Sequence, residues 1–267
     1  MRRICAEGVD HMQIRYAGAV SCGTDHRESG APCADSVLVL ERDGDVFAVL
    51  SDGAGSVEGS RRASEAAVHV TVHMLEKEQD ALFCTPDEAL KRILVREIRK
   101  GTEELAGMEA DCTLLFAVLK KDGRYLAGHL GDGVILLYDE HGNGSLFSDA
   151  ENGEKENSTY FVAGPETEKH LRLYRGKMNG TGGMILTSDG LARLLYYANT
   201  KKTAPAADIM MNWTGLLDEE TVREKLQLEM DELFSRETRD DMSLIVLSWK
   251  NDTGTEQDGE SNVDFER

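Results

Sequence analysis

Ser36-Val-Leu-Val-Leu-Glu-Arg-Asp-Gly-Asp-Val-Phe-Ala-Val-Leu-Ser-Asp-Gly53 decides the reading of the fold. Two apolar runs, Ser36 to Glu41 and Asp45 to Leu50, flank Asp43-Gly44, a type I′ turn signal, so the stretch predicts a β-hairpin. A second hairpin is predicted where Thr113 to Lys120 and Tyr125 to Leu130 flank Asp122-Gly123. Val134 to Tyr138 reads as a further strand running into the turn-rich His141-Gly-Asn-Gly144, and Met184 to Ser188 and Met242 to Trp249 read as buried strands. Helical periodicity covers residues 60 to 78, with Ala63, Ala67, Val70 and Met74 on one face. It returns from Pro86 to Leu105, opened by proline, and near 218 to 235, with Val222, Leu226, Met230 and Leu233 at helical spacing. Helices segregated from hairpins imply an α+β layered fold built on antiparallel sheet.

The chain has 267 residues and no internal linker, which predicts one domain over residues 1–249 followed by an acidic, disordered tail at 250–267. That tail holds six acids against two bases and almost no apolar residues. The longest apolar run, Leu114 to Leu119, is too short to cross a bilayer, and no apolar stretch follows Met1 to Glu7. The expectation is a cytoplasmic protein. A formal charge of −19 without basic clusters repels nucleic acid and anionic membranes, and welcomes divalent cations. Cys5, Cys22, Cys33, Cys84 and Cys112 form no CxxC pair, so they read as reduced, mostly packed thiols.

Four acids stand at the ends of apolar strands, where charge is normally avoided: Asp35, Asp52, Asp189 and Asp240. If the strands lie side by side their carboxylates converge, and such a cluster persists when hard cations such as Mg²⁺ or Mn²⁺ neutralise it. Asp43-Gly44 and Asp122-Gly123 read as plain turns, whereas Asp52-Gly53 and Asp189-Gly190 lead from a strand toward a helical segment, where a hairpin turn has no place. Asp132, in Gly131-Asp132-Gly133 between two strands, fits either a hairpin turn or a site role. His69 and His73 lack the glutamate of a zinc protease motif and read as helix-surface residues. Gly180-Thr-Gly-Gly183 precedes a strand and reads as a loop, and no nucleophile elbow surrounds Ser51 or Ser188.

In chain order, Cys33-Ala-Asp-Ser36, Ser51-Asp-Gly-Ala-Gly-Ser56 followed by Ala63, Asp111-Cys-Thr-Leu-Leu115, Gly131-Asp-Gly133, Thr187-Ser-Asp-Gly-Leu191 and Arg239-Asp-Asp-Met-Ser-Leu-Ile245 resemble the successive motifs of protein phosphatase 2C, in its bacterial stand-alone branch. The resemblance implies a four-layer α-β-β-α sandwich of two antiparallel sheets flanked by helices, with metals in a cleft at one end. It implies that Asp52 bridges two ions, that the Gly53 carbonyl binds the second, and that Asp189 and Asp240 hold the first. Asp35 would bind metal or order its waters, and Asp132 matches a family acid that can help hold a third ion. Two cations about 4 Å apart would activate water for hydrolysis of phosphoserine or phosphothreonine. The implied partners are a phosphoprotein substrate and a cognate Ser/Thr kinase. Ala34 stands where the family often has glutamate and Ala54 where it often has histidine, and the family's phosphate-holding arginine would fall near Gly30. His26 or Arg27 are the substitutes for that arginine, and His26 is the candidate general acid. The rival reading, motivated by Ala34 and Ala54, is a catalytically weak or inactive regulator that keeps the fold.

Overall fold

Leu114–Leu119 is buried at every position, as is Asp45–Ser51, and a strand with no polar face needs a packed layer on each side. The computed structural model, which describes residues 11–54, 59–107, 111–153 and 158–251, supplies those layers. The described part opens with β1 (Met12–Ser21), the short helix α1 (Thr24–Ser29) and the hairpin β2 (Ser36–Arg42) and β3 (Asp45–Ser51). Three helices follow: α2 (Ser60–Lys77), α3 (Gln79–Cys84) and α4 (Asp87–Ala106). Then come β4 (Leu114–Leu119), β5 (Arg124–Leu130), β6 (Val134–Tyr138), β7 (Gly144–Ser148), α5 (Thr167–His170), β8 (Arg172–Lys177) and β9 (Gly182–Thr187). Helices α6 (Asp189–Leu195), α7 (Pro205–Leu216) and α8 (Glu219–Glu232) precede the last strand, β10 (Met242–Asn251).

The strands form two five-stranded antiparallel sheets, in the orders β1-β10-β9-β6-β7 and β2-β3-β4-β5-β8. Alternation along β3 shows how they stack. Val46, Ala48 and Leu50 point at Ile135, Met184, Leu186, Ile245 and Leu247 of the facing sheet, while Phe47 and Val49 point at α2 and α4. On the far side, Val134, Ile185, Leu244 and Val246 pack under α6, α7 and α8. The result is the four-layer sandwich, each fully buried large apolar side chain contributing about 1.5–3 kcal/mol relative to exposure. Among the described residues no helix is long and apolar enough to cross a membrane.

Four local readings change. At Asp43-Gly44 both residues take positive φ, as a type I′ turn requires, but at the second hairpin only Gly123 does. There Lys120 N–H donates to Arg124 O at 2.8 Å across a three-residue loop that ends on glycine. Gly182 and Gly183 are not loop but part of β9, because Trp249 and the Met211 sulfur lie over them where side chains would otherwise stand. Gly131-Asp132-Gly133 is no hairpin turn, since β5 and β6 belong to different sheets. Finally, β10 runs through Asn251, which pairs with Met12, and residues 252–267 of the expected tail lie outside the described residues.

Register places the site. In one sheet Ser36 pairs with Ser51, Leu50 with Leu115 and Leu114 with Leu130; in the other Ser21 pairs with Met242, while Leu244 and Val134 both pair with Thr187. The starts of β2, β4, β6 and β10 and the ends of β1, β3, β5 and β9 therefore share one end of the sandwich, where the β5–β6 connection crosses between sheets.

At the other end of β3, the buried Lys120 ammonium pairs with the buried Asp45 carboxylate and with Gln79 of α3. Asp45→Ala strands that ammonium, and is expected to cost about 3–5 kcal/mol in chemical denaturation, whereas replacing both partners with apolar residues of similar volume should cost far less.

Candidate metal centre

Each acid reaches this end of the sandwich by a different local device. Asp52 ends β3, where its own N–H bonds Thr113 Oγ1 at 3.1 Å and its carbonyl accepts from Thr113 N–H at 2.8 Å, locking it to the start of β4. Gly53 continues the contact as a bridge to Cys112, and its N–H donates to Ala34 O at 3.2 Å. Asp189 is the first residue of α6, directly after β9. Asp132 sits on the crossover between sheets. Asp35 and Asp240 lie just before β2 and β10.

Carboxylate oxygens of Asp52, Asp132 and Asp189 come within 4.8 Å of one another. These three and Asp240 line one cleft of about 480 Å³, together with His26 and Arg239. Asp35 stands behind Asp52, buried, with Oδ2 accepting from Ser243 Oγ at 2.6 Å and Oδ1 left without a hydrogen-bond partner among the described residues.

The electrostatics divide the acids into two groups. Burial, then the charges of Asp35 and Asp189, raises Asp52 well above the carboxylate range. Burial likewise raises Asp35, against the opposing hydrogen bond from Ser243, and raises Asp132 and Asp240. Asp189 opens to the cleft, yet the protein around it, then Asp132, Asp240 and Asp35, push its carboxyl up to about 7. Asp241 behaves oppositely. Burial works against its charge, but hydrogen bonds from Gly23 N–H at 2.6 Å and Ala34 N–H at 2.5 Å, with His26 Nδ1 at 2.8 Å, hold it below the ordinary range. The protein alone satisfies Asp241 and leaves the other acids short of positive charge. An all-oxygen set with an orphaned buried carboxylate oxygen fits Mg²⁺ or Mn²⁺.

Several side chains have other places than the sequence reading gives them. Arg27 turns away from the cleft: Nε donates to Cys22 O at 2.7 Å and Nη2 to Ser21 Oγ at 3.0 Å, so it is no substitute for a phosphate-holding arginine there. Among the described residues lining the cleft the permanent cation is Arg239, which sequence reasoning passed over, as it did Asp241. The signal available for Asp241 was the doubled aspartate itself, a second acid directly beside a strand-end candidate. His69 and His73 are exposed on α2, and Cys22, Cys33, Cys84 and Cys112 are free thiols.

The sequence model of the family described as protein phosphatase 2C matches residues 22–230. Among solved structures, the catalytic domain of the serine threonine protein phosphatase PstP, in complex with 2 manganese ions, superposes with TM-score 0.63 at 18% identity, over 90% of this chain and 100% of that one. PppA of Pseudomonas aeruginosa, described as a key regulatory component of T6SS, superposes with TM-score 0.63 at 15% identity, over 88% and 96%. RsbX in complex with magnesium gives TM-score 0.56 at 12% identity, over 90% and 96%. At these identities the likeness is one of fold. Among curated proteins, a 97-residue stretch is 32% identical to part of tRNA pseudouridine synthase D of Anaeromyxobacter dehalogenans, covering 36% of this chain and only 28% of the synthase's length.

In the metal-free protein the raised carboxyls make a stability signature. An acid whose folded pKa lies above its ordinary 3.8, as Asp189 does at about 7, binds more protons folded than unfolded. Its contribution is present at low pH and is lost as pH rises through that window. Thermal melts in EDTA are expected to show stability falling between about pH 4 and pH 7, with Asp189→Asn flattening the fall and Mn²⁺ removing it.

Proposed function

The chain belongs to the protein phosphatase 2C family, and from that membership together with the acid cluster we propose that it hydrolyses phosphoserine and phosphothreonine in proteins with Mg²⁺ or Mn²⁺. The observation that carries the proposal is the convergence of Asp52, Asp132 and Asp189, with Asp35 and Asp240 beside them, on one cleft whose charge the protein leaves uncompensated. In this reading Asp52, Asp189, Asp240 and the Gly53 carbonyl would hold two ions, with Asp52 shared between them. Asp35 would bind metal or order its water, and Asp132 would serve a third ion. The bound cations supply charge neutralisation of the phosphoryl oxygens and lower the pKa of water at the site.

The chain's own side chains support attack by water rather than by a residue. Ser51 Oγ is buried and donates to Thr113 O at 2.7 Å, and Ser188 Oγ is buried and accepts from Ser243 N–H at 3.0 Å. Burial pushes the Cys112 thiol up to about 12, which leaves it protonated and unreactive. These two hydroxyls and this thiol are thus committed to structure. A phosphoprotein made by a cognate Ser/Thr kinase, in the cytoplasm, is the substrate this arrangement suits. Ala34 and Ala54 favour a second reading, a regulator with the fold and weak or no turnover.

Purified protein with Mn²⁺ is expected to release phosphate from a phosphoserine peptide, and Asp52→Asn to lower that turnover to near the uncatalysed baseline with the circular dichroism spectrum unchanged. Wild-type protein that binds Mn²⁺ but releases no phosphate would establish the regulator reading instead.

A further inference from the structure

Serine and threonine alkoxides are strongly basic leaving groups, and Ala54 offers no proton. Resting on the phosphatase reading, we propose that Asp241 and His26 form a proton-donating dyad, with Arg239 latching the helix that carries the imidazole. His26 Nδ1 lies 2.8 Å from Asp241 Oδ2 while His26 lines the cleft, so Nε2 is the nitrogen left for a ligand.

The support comes from how α1 is held. This helix has six residues and buries none of its side chains, so neither its own cooperativity nor apolar packing places it. Polar links to residues 239–241 do so instead. Asp25 N–H donates to Arg239 O at 3.2 Å, and Arg239 Nε and Nη2 donate to Asp25 at 2.6 Å and Glu28 at 2.7 Å. Asp241 accepts from Gly23 N–H, just before the helix, and from His26 within it. The same segment is wedged between two backbones. A Cβ on Gly23 would meet Asp240 C at 2.4 Å, and one on Gly190 would meet Asp241 O at 2.1 Å. Asp240 and the His26 imidazole are thereby indexed to one short piece of chain.

Cys22 also approaches Asp241 and His26 within 4.8 Å, but Asp241 already accepts three hydrogen bonds, which directs the carboxylate to the imidazole rather than to a metal. In the reaction, the oxygen of water forms the new bond to phosphorus. The bond from phosphorus to the side-chain oxygen breaks with its electron pair on that oxygen. His26 Nε2 supplies the proton that makes it a hydroxyl, and the proton released by the attacking water restores the imidazolium. Asp241 keeps the Nδ1 hydrogen throughout and, acting through His26, is a positioning residue.

Three measurements test this. ¹⁵N NMR of the metal-free protein is expected to show His26 carrying its hydrogen on Nδ1, and Asp241→Ala to lose that preference, because no acceptor then faces Nδ1. With Mn²⁺, His26→Ala should lower kcat on a phosphoserine peptide about 10²-fold, while an aryl phosphate, a weaker base on departure, falls less than about 3-fold. Asp241→Asn should reproduce the split in smaller measure, and the double variant should be no worse than His26→Ala alone. If Asp241→Asn does not fold, Arg239→Ala, at an exposed side chain, is expected to fold and to show the same split. Equal losses on both substrates, multiplied losses in the double variant, or an unchanged tautomer in Asp241→Ala overturns the dyad. Wild-type protein inert on both substrates defeats the phosphatase reading instead, and the NMR result still judges the contact.

Discussion

Carboxylates gathered at one end of a two-sheet sandwich, too close to be anions together without added positive charge, set the terms for the rest of this structure. Asp52, Asp132 and Asp189 share a few ångströms, with Asp35 buried behind them. Such a grouping works against folding, since each charge is desolvated and repelled by the next. It is tolerable because the framework beneath it does not depend on it: three apolar layers lie away from the cleft and are filled with side chains wholly removed from water. Stability is stored in the layers and spent at their end, a distribution common to sites built for ligand charge.

Antiparallel pairing is what brings the acids together. Within one sheet, neighbouring strands alternate direction, so the end of β3 meets the starts of β2 and β4, and the end of β9 meets the starts of β6 and β10. The crossover at Asp132 joins the two sheets at the same end. Acids from segments more than 150 residues apart then face one cleft. Rigid strands position such groups more tightly than loops do.

The wall made by α1 follows a different physics. Most of the long helices lean on apolar faces, but α1 is held by ion pairs and by Asp241, links that water and salt compete for. It is therefore the part of the cleft whose position is set by the smallest free energies, and a ligand or solution condition that engages Arg239 or Asp25 acts on it directly. The exposed pairs Arg239–Asp25 and Arg239–Glu28 contribute little to global stability while deciding where six residues sit.

The central strands of both sheets were legible in the sequence, because β3, β4, β9 and β10 are buried on both faces and read as continuous apolar runs. β1, β7 and β8 were not. All three are edge strands with mixed burial, and unlike β2, the edge strand marked by its apolar run and the Asp43-Gly44 turn, none joins an apolar run to a hairpin signal that separates it from a loop. Helices α2, α4 and α8 showed their apolar stripe, whereas α1 buries nothing and has none to show. The acids at strand ends stood out as candidates because charge beside an apolar run is locally anomalous. Whether Asp132 turned within a sheet or crossed between two was decided only by the assembled sandwich. So were the partners of Asp241 and the choice between Arg27 and Arg239, since a side chain's direction depends on which backbone packs against it, and the Gly23 and Gly190 contacts that aim residues 239–241 join segments far apart in the chain.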